Sequence, residues 1–243
     1  MTTMPFIGLF IPGGAGYPFD LQKPVTDVVR LFLRWSTEAF DKDNDYFPIW
    51  STCLGIQAFL MLDVIDAIGE DACIALLKKT SMKHGKLPAG TPEEELVMGS
   101  LNIDFSDKAR QSRMMAHLSD HLYCSDFFRL GMDRFYDLVG TRTDDNGFEY
   151  VSCIEAKRYP IYATMCHYEK VSFQWSDKFY TVDKSLEAIQ LAQAMSNFFV
   201  QECCKSSHRF SSQKDEWDAL IDNKAPLFVA PKGHILDSVF TFD

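Results

Sequence analysis

The stretch Asp45-Tyr46-Phe47-Pro48-Ile49-Trp50-Ser51-Thr52-Cys53-Leu54-Gly55 constrains this chain more than any other. Tyr46 to Trp50 reads as a short buried strand that runs into a sharp turn and then into an apolar helix from about Ile56 to Ile68. Ser51, Thr52 and Gly55 are small enough to let the backbone turn tightly. A cysteine at such a turn stands at the carboxyl end of a sheet, and the helix that follows points its N-terminus at it, which favours negative charge. This is the thiol counterpart of the nucleophile elbow. The plain alternative, a buried small hydrophobe, is the usual lot of a cysteine in a folded chain. The turn chemistry favours the nucleophile reading for Cys53.

An elbow needs a sheet around it, and the flanking sequence supplies one. Phe6 to Ile11 is a continuous apolar run ending in Pro12-Gly13-Gly14-Ala15-Gly16, which suits a buried parallel strand followed by a glycine loop. Val25 to Phe40 has helical periodicity, with Val28, Val29, Leu31, Phe32, Trp35 and Phe40 on an apolar face. Strand, glycine loop, helix, strand, elbow and helix make an α/β winding. Further on, Asp144-Asp145-Asn146-Gly147 is a hairpin turn between strands Leu138–Thr143 and Phe148–Ile154. Tyr159 to Met165 reads as another strand, Leu101 to Phe105 as a candidate strand, and Ser185 to Cys204 as an amphipathic helix. Cys73 to Leu77 fits a strand or a helix, Gly85 to Thr91 a loop, and Leu118 to Val139 is aromatic-rich and mixed in pattern. The tail from Ser206 is polar and then extended. No repeat, low-complexity tract or interdomain linker interrupts the chain, so residues 1–243 read as a single domain.

Composition narrows the partners. Hydrophobic residues make up 47% of the 243, enough for a full core. The formal charge of -10 argues against nucleic acid and against an anionic membrane surface. The apolar runs fall far short of a membrane span, and Met1 to Phe10 has no signal-peptide pattern. Taken literally, the chain stays in the cytoplasm. Its seven cysteines show no metal-ligand spacing and no assignable disulfides, so no structural metal is expected.

A thiolate nucleophile needs a base, and the base needs an orienting group. Of six histidines, His167 follows a strand and so lies at the carboxyl edge where Cys53 also lies. Glu169, two residues on in the same extended segment, would face the same way and hold one imidazole nitrogen. His84, His208 and His234 read as solvated loop residues, and His117 with His121 lacks a third metal ligand. Acyl transfer also needs oxyanion donors: the backbone N–H of Leu54 at the start of the elbow helix and one from the Gly13-Gly14 loop. Three distant segments thus converge on one place.

With these residues assembled, the chain resembles the folate gamma-glutamyl hydrolases, cysteine peptidases of family C26 in the class I glutamine amidotransferase-like superfamily. The resemblance is carried by Phe10-Ile11-Pro12-Gly13-Gly14, the Asp45–Gly55 stretch, Tyr159-Pro160-Ile161-Tyr162, His167-Tyr168-Glu169-Lys170 with Trp175, Phe198-Phe199-Val200 and the closing Phe242-Asp243. It covers essentially the whole chain. It implies a flavodoxin-like three-layer α/β/α sandwich and cleavage of the gamma-glutamyl amide bonds of folate poly-gamma-glutamates without a cofactor. It implies Cys53 as nucleophile, His167 as base, Glu169 as the acidic position behind it, and Gly14 and Leu54 at the oxyanion hole. It assigns substrate binding to Gly13, Phe128, Arg129 and Lys170, with Arg158 a further candidate for attracting the alpha-carboxylates. It also implies a lysosomal or secreted protein, and it leaves a homodimer open.

The sequence departs from the family pattern in four places. The family carries a further stretch ahead of the Pro-Gly-Gly strand, with a signal peptide and the first strand–helix–strand units, so this chain reads as shortened. Cys166-His167-Tyr168-Glu169 stands where the family usually has Trp-His-Pro-Glu, removing a proline that fixes the histidine and glutamate directions. Phe127-Phe128-Arg129 stands for a substrate-binding Phe-His-Lys, and Gln57 for a glutamate near the nucleophile. Two readings follow. One is an active thiol hydrolase; the other is a catalytically impaired paralogue that binds gamma-glutamyl compounds or acts as a partner subunit.

Overall fold

A computed structural model describes residues 5–13, 23–53, 55, 56, 62, 66, 104, 105, 128, 131–143, 149–174, 182–228 and 238–240. Among the described residues six strands form one sheet: β1 (Leu9–Ile11), β2 (Ile49–Thr52), β3 (Asp104–Phe105), β4 (Tyr136–Thr143), β5 (Glu149–Ala156) and β6 (Ile161–Thr164). Their order across the sheet is β1-β2-β6-β5-β4-β3. The pairs β1–β2 and β2–β6 are parallel, and β6–β5, β5–β4 and β4–β3 are antiparallel. The sheet is therefore mixed, with its parallel part confined to the three strands that lead into the candidate site. A separate two-stranded ribbon pairs β7 (Leu227–Phe228) with β8 (Ser238–Val239).

Side-chain alternation along the strands sorts the core into two faces. Ile49, Ile154, Ala156, Ile161 and Ala163 join one buried cluster, while Trp50, Cys153 and Tyr162, their immediate neighbours in the chain, join the other. Helix α1 (Lys23–Asp43) covers the first face with Phe32, Leu33 and Trp35. Phe47, just ahead of β2, is the plug between them. It is 1% exposed, meets Trp35 edge-on at 4.8 Å, and its carbonyl accepts the buried Ser36 hydroxyl at 2.9 Å. Burying a phenylalanine so completely stabilises by about 1.5–3 kcal/mol. Helices α2 (Tyr168–Phe173) and α3 (Leu186–Cys203) cover the second face through Tyr168, Val171, Ala188, Ala192 and Met195. The result is an α/β protein with helices on both faces of a sheet. Ser185 caps α3 by accepting the Ala188 N–H at 3.2 Å, and Ser212 does the same for α4 (Gln213–Ala219) at Asp215.

Several elements differ from the sequence expectation. The strand expected over Tyr46–Trp50 begins only at Ile49: ahead of it Tyr46 bonds to Glu202 of α3 and Phe47 packs under α1. The strand expected over Phe6–Ile11 is three residues long, and Phe6 and Ile7 are exposed. On α1, Val28 and Leu31 face outward, and Leu33 takes part in the core. The hairpin strands are each longer than expected, and β6 shorter. The polar tail contains helix α4 rather than only extended chain. Ile56, Leu62 and Asp66 are helical, within the range expected for the elbow helix, and so is Gly55 just ahead of it. The segments 73–77 and 85–91 lie outside the described residues.

The end of the sheet where β2 and β6 begin carries a buried carboxylate. Glu202 of α3 is 3% exposed. It accepts hydrogen bonds from Tyr46 and from Tyr162 (2.8 Å) and pairs with Lys205. Burial pushes its pKa up, but the bonds from Lys205, Tyr46 and Tyr162 outweigh that and hold it below the usual carboxylate value. Nearby in sequence, His208 is wedged against Trp35 and Phe47 and bridges the Phe6 carbonyl and Asp45, both at 2.9 Å. It is a packed residue, not the solvated loop histidine that its polar neighbours suggest.

Candidate active site

Strands β1, β2 and β6 are parallel neighbours, so the chain leaves all three at the same edge. Beyond β1 lies Gly13, beyond β2 Cys53, and beyond β6 His167. Cys53 has φ 53°, a left-handed conformation that costs a non-glycine residue about 1–3 kcal/mol. Two backbone bonds hold it there: its N–H donates to the Thr164 carbonyl at 2.7 Å, and its carbonyl accepts the Ile56 N–H at 3.0 Å. The turn has no room for a larger residue at 55, since a Cβ on Gly55 would overlap the buried Ser51 Oγ. This is the strained strand-to-helix turn that presents a nucleophile.

His167 stands at the N-terminus of α2, with its side chain only 7% exposed. Its Nδ1 is hydrogen-bonded to Oε1 of Glu169. Its Nε2 edge lies against Gly13. A Cβ there would overlap His167 Cε1 and fall 2.8 Å from Nε2 and 2.9 Å from Cys53 Cβ. Nucleophile candidate and base candidate thus both touch one glycine, and only a glycine fits between them. Burial lowers the His167 pKa, but hydrogen bonds to the Cys53 and Glu169 side chains outweigh it and raise it from 6.5 to about 9. The positive charge of Lys170 opposes this rise. The imidazole is therefore an imidazolium at neutral pH, the counter-charge that a cysteine nucleophile requires.

The geometry corrects one step of the sequence reasoning. His167 and Glu169 do not share an extended segment: Glu169 is in the first turn of α2, and the ring folds back onto it. Arg158 is not at this site. It precedes β6 whereas His167 follows it, so the two lie at opposite edges, and Arg158 is paired with Asp41 at 2.6 Å. Lys170 sits beside Glu169 in α2. Phe128 is 49% exposed and its carbonyl accepts the Gly131 N–H at 3.0 Å. Gly14, Leu54, Arg129 and Gln57 lie outside the described residues, as do His84, His117, His121 and His234.

The buried cysteines set Cys53 apart. Burial pushes Cys153 up to about 12 and Cys203 to about 11, and raises Cys166. Such thiols are inert. Cys53 is only partly buried and sits beside an imidazolium. Sequence reasoning did not single out Thr164, whose carbonyl fixes the Cys53 backbone; a polar residue ending an apolar strand was the available signal. Among the described residues no group of three or more His, Cys, Asp and Glu side chains is placed to hold a metal ion, and no helix is long and apolar enough to cross a membrane.

No family model matches the chain. Individual proteins do. Gamma-glutamyl hydrolase B of Dictyostelium discoideum is 30% identical over 243 residues, covering 97% of this chain and 66% of the relative. The gamma-glutamyl hydrolase of Homo sapiens is 26% identical, over 91% of this chain and 67% of its own length. Gamma-glutamyl hydrolase 1 of Arabidopsis thaliana is 27% identical, over 97% and 65%. The chain thus spans about two thirds of the length of these relatives.

Proposed function

Because the chain belongs to the gamma-glutamyl hydrolase family, we propose that it is a thiol hydrolase that cleaves gamma-glutamyl amide bonds, with folate poly-gamma-glutamates as substrates. Cys53 Sγ attacks the amide carbonyl. His167 gives its proton to the leaving amine, the C–N bond breaks, and a thioester to Cys53 remains. Water, deprotonated by His167, then attacks the thioester; the C–S bond breaks with the Cys53 thiolate as leaving group, the acid product departs as its carboxylate, and the thiolate stands again beside the protonated His167. Glu169 holds Nδ1 and so aims Nε2 at the sulfur. The oxyanion is taken up by the backbone N–H groups of Leu54 and Gly14. Lys170, three residues on from His167 in α2, is a described candidate to meet a substrate carboxylate.

One observation carries this reading: the meeting of Cys53, His167 and Glu169 over Gly13 at the carboxyl edge of three parallel strands. Buried structural cysteines do not need a left-handed turn or an imidazolium neighbour. The test is incubation with a folate pentaglutamate followed by mass spectrometry. Shortened glutamate chains, absent with Cys53→Ala, are the expected result. Intact chains with folded wild-type protein would overturn the hydrolase reading and leave a binding paralogue.

A further inference from the structure

His167 is held by a turn, and a turn is only as rigid as its anchors. Helix α2, which begins at His167, has six residues, too few to be stable by itself. His167 contributes no side-chain cap to it. Both neighbours of His167 are nevertheless buried, Cys166 at 7% and Tyr168 at 6% exposed. Each is tied into one small polar cluster beneath the sheet edge. The Cys166 N–H donates to Thr164 Oγ1 at 3.0 Å. That leaves the Thr164 O–H to meet Cys153 Sγ at 3.3 Å, and Tyr168 Oη meets the same sulfur at 3.7 Å. Cys166 Sγ in turn meets Ser152 Oγ at 3.4 Å.

Thr164 joins this cluster to the nucleophile. Its carbonyl accepts the Cys53 N–H at 2.7 Å, while its hydroxyl accepts the N–H of the residue ahead of His167. Thr164 is 0% exposed, so neither bond can be exchanged for water. One residue therefore grips the backbone of both sides of the site. We propose that the Thr164 hydroxyl is a positioning group that sets the span between Cys53 and His167, with Tyr168 Oη and Cys153 Sγ as its support. The cluster takes the part of a rigid residue after the histidine: an anchored tyrosine fixes the turn from behind. The inference rests on the hydrolase reading of Cys53 and His167 and deepens it.

The experiment compares Thr164→Val, Thr164→Ser and Tyr168→Phe with the wild type and with His167→Gln. Alkylation of Cys53 by iodoacetamide is followed by peptide mass spectrometry across a pH series, alongside kcat and KM on a folate polyglutamate and thermal unfolding. Valine keeps the shape of Thr164 and removes only the hydroxyl. The expected result is a folded Thr164→Val protein whose kcat falls about 100-fold at unchanged KM, and whose Cys53 alkylation loses the part that His167→Gln also loses. Thr164→Ser restores both, and Tyr168→Phe shifts both in the same direction by less. A Thr164→Val protein with the wild-type pH profile and kcat would overturn the inference, as would a folded Thr164→Ser protein that restores neither. Should Thr164→Val fail to fold, a wild-type alkylation profile in Tyr168→Phe overturns it. If wild type and His167→Gln alkylate alike, the hydrolase reading itself falls. If they differ while Thr164→Val matches the wild type, only the positioning role falls.

Discussion

The two ends of β2 and β6 both carry a carboxylate in contact with polar partners, and they differ in what is left over. At the end where the strands begin, Glu202 is 3% exposed, and two tyrosines and a lysine converge on it. The bonds from Tyr46 and Tyr162 tie α3 to β6 and to the segment ahead of β2. At the end where the strands finish, Glu169 is 41% exposed and serves the ring of His167, which in turn serves Cys53. The backbone at Cys53 is strained there, and a glycine keeps the space between ring and sulfur clear. A buried carboxylate with every partner drawn in around it marks a structural end; a cysteine held in a left-handed turn with a partly open sulfur beside a histidine marks a reactive one.

Substitutions should separate the two ends. The largest effect is expected from Cys53→Ala, which removes the nucleophile: hydrolysis should fall by at least about 10⁴-fold with circular dichroism unchanged. Gly13→Ala comes next. The added methyl would overlap His167 Cε1 and crowd Cys53 Cβ, so the ring must swing away. About 100-fold loss of kcat with little change in melting temperature is expected. Glu202→Ala should do the reverse. It removes the carboxylate that the part-buried Tyr46 and the buried Tyr162 hydroxyls share and costs about 2–4 kcal/mol, seen in denaturant unfolding, while kcat per folded molecule is kept.

The smallest effect, and the one that sharpens the comparison most, is in pH. His167 has a folded pKa of about 9, above its ordinary 6.5. Its contribution to stability is therefore fully present below 6.5 and is lost as pH rises through about 9. Glu202 has its folded pKa lowered from 4.5, so its contribution is present above 4.5 and is lost as pH falls through the lowered value. Melting temperature against pH should thus lose its alkaline shoulder in His167→Gln and its acid shoulder in Glu202→Gln. The same shoulder moving in both variants would deny that the two ends are independent.

What could be read from the sequence was local. The elbow at Cys53 was legible because a tight turn demands small residues at fixed offsets. The hairpin was legible from Asp144 to Gly147, and α3 from its apolar spacing. The pairing of His167 with Glu169 was expected for the wrong geometric reason, since a six-residue helix is too short to show periodicity. The tyrosine partners of Glu202 lie 156 and 40 residues away, and nothing near it in the chain announces them. His208 was misread for the same reason: its polar neighbours say nothing of Trp35 and Phe47, which close over it from another part of the chain. Arg158 was attributed to the site because sequence proximity to His167 hides the fact that a strand separates them.

The most direct measurement is to stop a reaction with a folate polyglutamate in acid during turnover and weigh the peptide that contains Cys53. A peptide heavier by the acyl portion of the substrate, in wild type and lost with His167→Gln, is the predicted result. Shortened glutamate chains with no mass added at Cys53, or the adduct on another cysteine, would contradict it.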